Sequence, residues 1–382
     1  MKNRKSTASA PNDSVENAKK AMYKRGKKSS MDQNTKYYII IGAFVVIMLL
    51  VVFYLQSPKQ SLLTKPVIDH DEFLVHNSQN QLFSVGPNDQ FQGVIMNDAR
   101  KLFSIGISDT PNIPSWEEVK DVNVPENYDF RKDENRKKCA ISPRMTGNCT
   151  AGHVFSTLST IEDRICLQTN GEERFRLSVQ DVISWDAMNM ACEGGYVSNV
   201  LNYGRDRGFV REECYPWVGT NSTCPAEINK WRVSKEHYKV AGYCAVQGPE
   251  SIKREIMKNG PVIAPLFPYT DFLTYKSGVY FPSEGSFKFG GSQAVKIVGW
   301  TKGIQGDSWI VENSWGSSWG EEGYANIMSG HKDLGVDVVA ISPAVIPVPF
   351  FKYEEEMLKH RNSGYSSSND DQPQEEIEES QE

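Results

Sequence analysis

Few side chains in this sequence stand where covalent chemistry could be done, and they lie between residues 139 and 244. Thr150 and His153 flank Gly152. A hydroxyl held against an imidazole is a nucleophile and base in principle, although two residues lining a groove are the plainer reading. Seven cysteines, Cys139, Cys149, Cys166, Cys192, Cys214, Cys224 and Cys244, form one block with none before it, the usage of a region that folds in an oxidising compartment. Seven is odd, so one thiol is left over, either buried or available to join two chains into a dimer. The sequons Asn148-Cys149-Thr150 and Asn221-Ser222-Thr223 lie in the same block and accept glycans if it faces a lumen. Asn221 sits in a turn-rich stretch and is the better acceptor. No metal or cofactor site is evident.

The elements that must position these residues are mixed, which predicts an α+β fold. Apolar residues recur at spacings of three and four from Thr150 to Cys166 and from Ser178 to Ser184, predicting helices there. After Tyr238 come short β-rich apolar runs at 261–264, 294–300 and 309–311. Upstream, Tyr37 to Leu55 is a run of 19 residues without a charge, enough at about 1.5 Å per residue to span a bilayer's hydrocarbon core. Ten Lys/Arg against three acids precede it, so the positive-inside rule leaves the N-terminus cytosolic and the large domain outside or in a lumen.

The run 146–156 (TGNCTAGHVFS) resembles the papain-family stretch Q-G-x-C-G-S-C-W-A-F-S. The segments LSVQDVI from Leu177, CEGGY from Cys192, QAVKIVGW from Gln293, and WIVENSWG continuing to WGEEGY from Trp309 resemble further family segments in the family's order. The match extends from about Val124 to Pro347, and details such as 163–166 (DRIC) and 213–217 (ECYPW) are similar to the cathepsin B, C and X branches. The resemblance implies a papain-like two-domain fold, with a helical left domain, a β-barrel-like right domain and a groove between them. It also implies cysteine peptidase ancestry, with the chemistry degenerate.

Carried over residue by residue, the family's nucleophilic cysteine falls on Gly152, its histidine on Gln293, its oxyanion glutamine on Thr146 and its orienting asparagine on Asn313. Glycine cannot attack a carbonyl, and an amide neither takes nor gives a proton usefully near neutral pH. No residue of the site is therefore expected to catalyse. His153 falls where the family has a tryptophan under the site, and Trp315 belongs to a packing motif beside the groove. Gly194 and Gly195 match glycines that pair with substrate backbone, or else only form a turn. The resemblance pairs Cys139 with Cys166 and Cys149 with Cys192. It leaves Cys214, Cys224 and Cys244 open, with Cys214–Cys224 and Cys214–Cys244 both possible and one family partner position occupied by Trp185.

The organisation expected is a basic cytosolic tail at 1–36, a signal-anchor helix at 37–55, a stalk or propeptide-like segment at 56–123 with a helix-like patch from Asp89 to Phe103, a peptidase-like domain at 124–347, and a disordered acidic tail at 348–382. The stretch Glu354–Glu382 holds ten acids against two bases. With the basic charge confined to the first tail, nucleic-acid binding has no footprint. The functional expectation is a single-pass type II membrane protein, a pseudopeptidase binding a peptide or protein in its groove or serving as a scaffold. Its ectodomain is placed outside the cell or in an endolysosomal lumen. Residual or unconventional peptidase activity in a lysosome-like compartment is the alternative.

Overall fold

The computed structural model describes residues 32–55, 62–79, 82–103, 119, 121–220, 237–304, 306–349, 352–355 and 357–359. Asn221, Cys224, most of the basic tail and the acidic residues after 359 lie outside them. The chain divides into two units, Met1–Leu62 and Leu63–Glu382.

In the first unit, α1 (Gln33–Leu55) begins four residues before the charge-free run. It is long and apolar enough to cross a membrane, and its large apolar side chains from Tyr37 to Tyr54 are exposed on every face. A helix apolar all round has no water-facing side.

The second unit opens with α2 (His70–Gln79), strand β1 (Phe83–Val85) and short helical turns at Asp89–Phe91, α3 (Met96–Ala99) and Arg100–Leu102. The continuous patch expected from Asp89 to Phe103 is thus broken, because the chain leaves helical geometry at Gln92 (ψ 118°) and turns through Gly93 at φ +73°. A short strand β2 (Tyr128–Asp129) leads to the helical half: α4 (Gly152–Gln168), α5 (Val179–Trp185) and α6 (Val197–Asp206). Ser178 caps α5 by accepting from the Asp181 N–H, which satisfies one of the orphan donors at a helix start.

The β half consists of β3 (Val240–Gln247), α7 (Pro249–Asn259), β4 (Val262–Leu266), β5 (Tyr275–Tyr280), β6 (Gln293–Thr301), β7 (Ser308–Glu312), β8 (Tyr324–Met328) and β9 (Val339–Val345). The apolar runs expected at 261–264, 294–300 and 309–311 are β4, β6 and β7. The strands join in the order β1-β5-β8-β7-β6-β4-β9-β3, with β2 also on β6. All of these pairs are antiparallel except β5 with β8.

Two apolar clusters result. One lies under α4, α5 and α6 and includes Leu158, Ile161 and Val200. The other fills the β half around Trp309, Trp315 and Trp319 and also contains Val67, Phe73, Phe83, Phe91 and Phe103. The segment before residue 104 therefore shares a core with the domain, which an exposed stalk would not. Disulfides Cys139–Cys166 and Cys149–Cys192 pin the helical half. Cys244 is a buried free thiol on β3, so the Cys214–Cys244 bridge is not formed. Burial raises that thiol to about 11. Residues 352–355 and 357–359 are helical, a departure from the tail expected to be structureless from residue 348.

Candidate functional site

The site is built where α4 meets β6 and β7. The N–H of Thr150 donates to Cys192 O, so the disulfide loop fixes the chain just ahead of α4, and Gly152 is its first residue. Gln293 opens β6, in register with Leu266 of β4. Asn313 follows β7, its N–H held by Gly323 O.

Gln293 lies directly across from Gly152. A Cβ placed on Gly152 would stand 2.8 Å from both amide heteroatoms of Gln293, closer than real Cβ contacts, so the glutamine occupies the space a side chain at 152 would need. Its Nε2 donates to Asn313 Oδ1 at 3.0 Å and to Ser314 Oγ at 3.2 Å. Asn313 Oδ1 also accepts from the Ser314 N–H, which fixes the orientation of that amide. Gln293 Oε1 and Asn313 Nδ2 are buried and find no partner among the described residues. Thr146 is buried nearby, its hydroxyl 3.5 Å from Gly147 O.

The chain's own segment lies over these residues. Thr150 Oγ1 donates to Lys101 O at 2.7 Å, and Gln90 Nε2 donates to Gly147 O at 2.7 Å. The Phe91 ring meets Trp315 edge-on at 5.1 Å. Phe103 packs against Phe289 at 4.8 Å and Trp315 at 5.9 Å. Gly291 permits the approach, since a Cβ there would lie 2.9 Å from Phe103 O. Further out, Asn88 Nδ2 donates to Leu273 O, and β1 extends the sheet past β5. Gly278 (φ +95°) is required at that crossing, because a Cβ would strike Leu82 O at 2.4 Å.

Thr150 and His153 do not form a nucleophile pair. The threonine hydroxyl is committed to Lys101 O. His153 is fully buried, neither ring nitrogen has a hydrogen-bond partner among the described residues, and burial drives its pKa down to about 3. It is a neutral core residue and not groove lining. Trp315 is likewise buried, at 1 % exposure, under Phe91 and Phe103. Gly194 takes φ +106°, and a Cβ on Gly195 would lie 2.2 Å from Asn189 Oδ1, an atom that accepts from the Tyr196 N–H. Both glycines are buried and serve a tight turn. Asn148 is exposed, whereas the hydroxyl of its sequon is covered by the segment.

A set of buried charges behind the site went unseen in the sequence. Lys296 Nζ contacts Asp163 Oδ2, Glu312 Oε2 and Ser159 Oγ, each at 2.7 Å. On either side of Asp163, Glu162 pairs with Arg144 and Arg164 with Glu255. Arg164 also donates to Pro261 O, Pro343 O and Gly260 O. Three consecutive charged residues of α4 thus reach separate partners, and two of the three tie the helical half to the β half. A lysine inside an otherwise apolar strand run was the available signal.

With this geometry in hand, comparison with known proteins assigns the ancestry. The papain family cysteine protease profile matches residues 124–344. The chain belongs to the papain family. It is 30% identical over 249 residues to a gut-specific cysteine proteinase of Caenorhabditis elegans, covering 59% of this chain and 75% of that protein. It is 31% identical over 250 residues to cathepsin B-like cysteine proteinase 2 of Haemonchus contortus, covering 57% and 72%. Among solved structures, procathepsin B S9 of Trypanosoma congolense superposes with a TM-score of 0.65 at 24% identity, over 74% of this chain and all of the other. The papain-like fold, with a helical half against a β half and an apolar helix ahead of both, is therefore the architecture, and the chain is cathepsin B-like.

Proposed function

We propose that this cathepsin B-like protein is held in a membrane by α1, lacks peptidase activity, and serves through its ectodomain as a binding or scaffold module. One observation carries the reading: at the start of α4, a glycine faces a glutamine amide that is hydrogen-bonded to Asn313. In this family's chemistry a thiolate attacks, an imidazole moves the proton and an asparagine orients the imidazole. Gln293 supplies an N–H to Asn313 as an imidazole would, so the hydrogen bond survives. The proton transfer does not, since an amide is neither acid nor base in the accessible range. Thr146 has no amide side chain to hold an oxyanion.

The covered groove favours the scaffold role over capture of a peptide there, because a peptide would have to lift residues 88–103 off Trp315 and Phe289. The basic flank of α1 supports a type II orientation with the N-terminus cytosolic. A dimer bridged by Cys244 is disfavoured by its burial, and Asn148 and Asn221 are acceptors for glycans. Residual peptidase activity, the competing reading, gains nothing from Thr150 and His153, whose commitments leave no activated hydroxyl.

The test uses the full-length chain, purified in detergent with a tagged catalytically active relative as control. We expect no labelling by a thiol-directed peptidyl probe and no saturable turnover of peptide substrates at acidic or neutral pH. Saturable hydrolysis that co-purifies with the chain to homogeneity overturns the proposal. Protease protection of the ectodomain in sealed microsomes tests the orientation.

A further inference from the structure

The segment ahead of the domain has an apolar face that the groove does not use. Asp69 caps α2, its Oδ1 accepting from the Asp71 and Glu72 N–H groups. At about 100° per residue, Phe73, His76 and Asn77 then share one side of the helix. All three engage the domain: Phe73 is buried, the His76 ring meets Phe83 at 4.7 Å, and the Asn77 amide bonds Val85. The opposite side carries Leu74 and Val75, which are 72 % and 55 % exposed. A helix lying on a domain in water turns its polar residues outward, whereas this one sets two aliphatic side chains there, between Asp71 and Ser78.

The same face lies where the chain enters the domain. The Val67 N–H donates to Val94 O and the Met96 N–H to Lys65 O, and Pro66 bridges to Ile95, itself half-exposed. Lys65 in turn pairs with Glu72 of α2, one turn before Val75. Seven residues, 56–62, separate Leu55 at the end of α1 from Leu63. Fully extended, that connection reaches about 29 Å, and a domain of this size is about 50 Å across. With α1 in a bilayer, the tether is shorter than the domain is wide, and the entry face is the part kept nearest the lipid. Asp69, Asp71 and Glu72 against Lys65 make this face slightly acidic, which disfavours an anionic leaflet and leaves burial of aliphatic groups as the attraction.

We propose that α2 docks on the surface of the bilayer, with Leu74 and Val75 set among the headgroups of a neutral, phosphatidylcholine-type leaflet. The inference rests on the membrane anchorage put forward above and adds to it a lipid-binding surface on the ectodomain. Two aliphatic side chains would hold a free protein to lipid only weakly. A short tether supplies the lipid at high effective concentration, so a weak contact suffices. A domain docked in this way turns one fixed face away from the membrane and does not swing about its tether, which is what a scaffold requires.

Photo-crosslinking of the full-length chain in phosphatidylcholine nanodiscs tests this, with a diazirine amino acid placed at one position at a time and lipid adducts read by mass. Positions 74 and 75 should give adducts, as should position 47 within α1. Position 304, fully exposed between β6 and β7, should give none. With the diazirine at 75, Leu74→Glu should cut the adduct yield about tenfold or more, while hydrogen exchange of the α4 amides stays unchanged. Adducts at 47 with none at 74 or 75 overturn the docking and leave the anchor standing. Adducts at none of the three overturn the anchor and the docking with it. Equal yields at 75 and 304, or links from 74 and 75 to a second copy of the chain in place of lipid, also overturn the proposal. The adducts on the chain without the glutamate decide the matter even where Leu74→Glu fails to fold.

Discussion

Removing the Phe103 ring should release the segment from the groove. Phe103 is 5 % exposed, and its ring bridges Phe289 and Trp315 directly beside the Lys101 carbonyl that binds Thr150. A buried Phe→Ala change costs about 3–5 kcal/mol. Here the loss falls on an element whose other anchors near the site are the Phe91 ring and the Gln90 and Thr150 hydrogen bonds, so most of it should appear as easier local opening. At about 1.4 kcal/mol per factor of ten, the open population of residues 88–103 should rise between about a hundredfold and a few thousandfold. Limited proteolysis in the regime where cleavage tracks the open population reads this ratio, with hydrogen exchange at the α4 amides reporting whether the whole domain has loosened. Leu74→Ala, at a side chain 72 % exposed, serves as the control and should change nothing. A rise of less than tenfold for Phe103→Ala, with α4 protection unchanged, would refute the view that this ring holds the segment down.

Three other outcomes follow from the same contacts. His153 is buried neutral with a pKa near 3, so the folded state binds fewer protons than the unfolded one below about 6.5. Stability tied to it is full above that pH and is lost as pH falls toward 3, by about 2–3 kcal/mol at pH 4.5; denaturant midpoints of His153→Phe should accordingly fall less between pH 7 and 4.5 than those of the native chain. Arg164→Ala strips the buried Glu255 of its cation and three carbonyls of a donor, and should cost about 3–5 kcal/mol in urea unfolding. Gly152→Cys should yield a chain that still fails to hydrolyse peptides, since the new thiol meets an amide and no base; turnover by this single variant would show that Gln293 is not the barrier described.

What could be read in advance divides along physical lines. The spacing of apolar residues placed α4 and α5, whose apolar period is written locally in the chain, and continuous apolar runs placed β4, β6 and β7, which are buried on both faces. The two disulfides near the site followed from family resemblance and are present. Closure of the groove was implied only by the propeptide-like resemblance of residues 56–123, with a plain stalk as the alternative; its contacts were not legible, since they depend on Phe91 and Phe103 finding Trp315 more than two hundred residues away. The segment between Leu63 and Phe103 holds one ten-residue helix, a three-residue strand and short turns, with no strong apolar period to announce them. The partnership of Lys296 with Asp163 and Glu312 was hidden for a related reason: a lone lysine in a strand run signals interruption, and its acids lie on two other elements. His153 misled in the opposite sense. An imidazole beside a site suggests chemistry, and only the packing around it shows that it is dry and unprotonated.

Strand β1 supplies the outer margin of a nine-stranded sheet, and Asn77 clips that margin shut, its side-chain amide bonding both the N–H and the C=O of Val85. A cut that freed the segment would strip off this hem and bare β5, a row of unmet backbone donors and acceptors able to template the next molecule. If the chain is inactive, as proposed, the segment has no need to leave, and keeping it in place keeps the β5 edge paired.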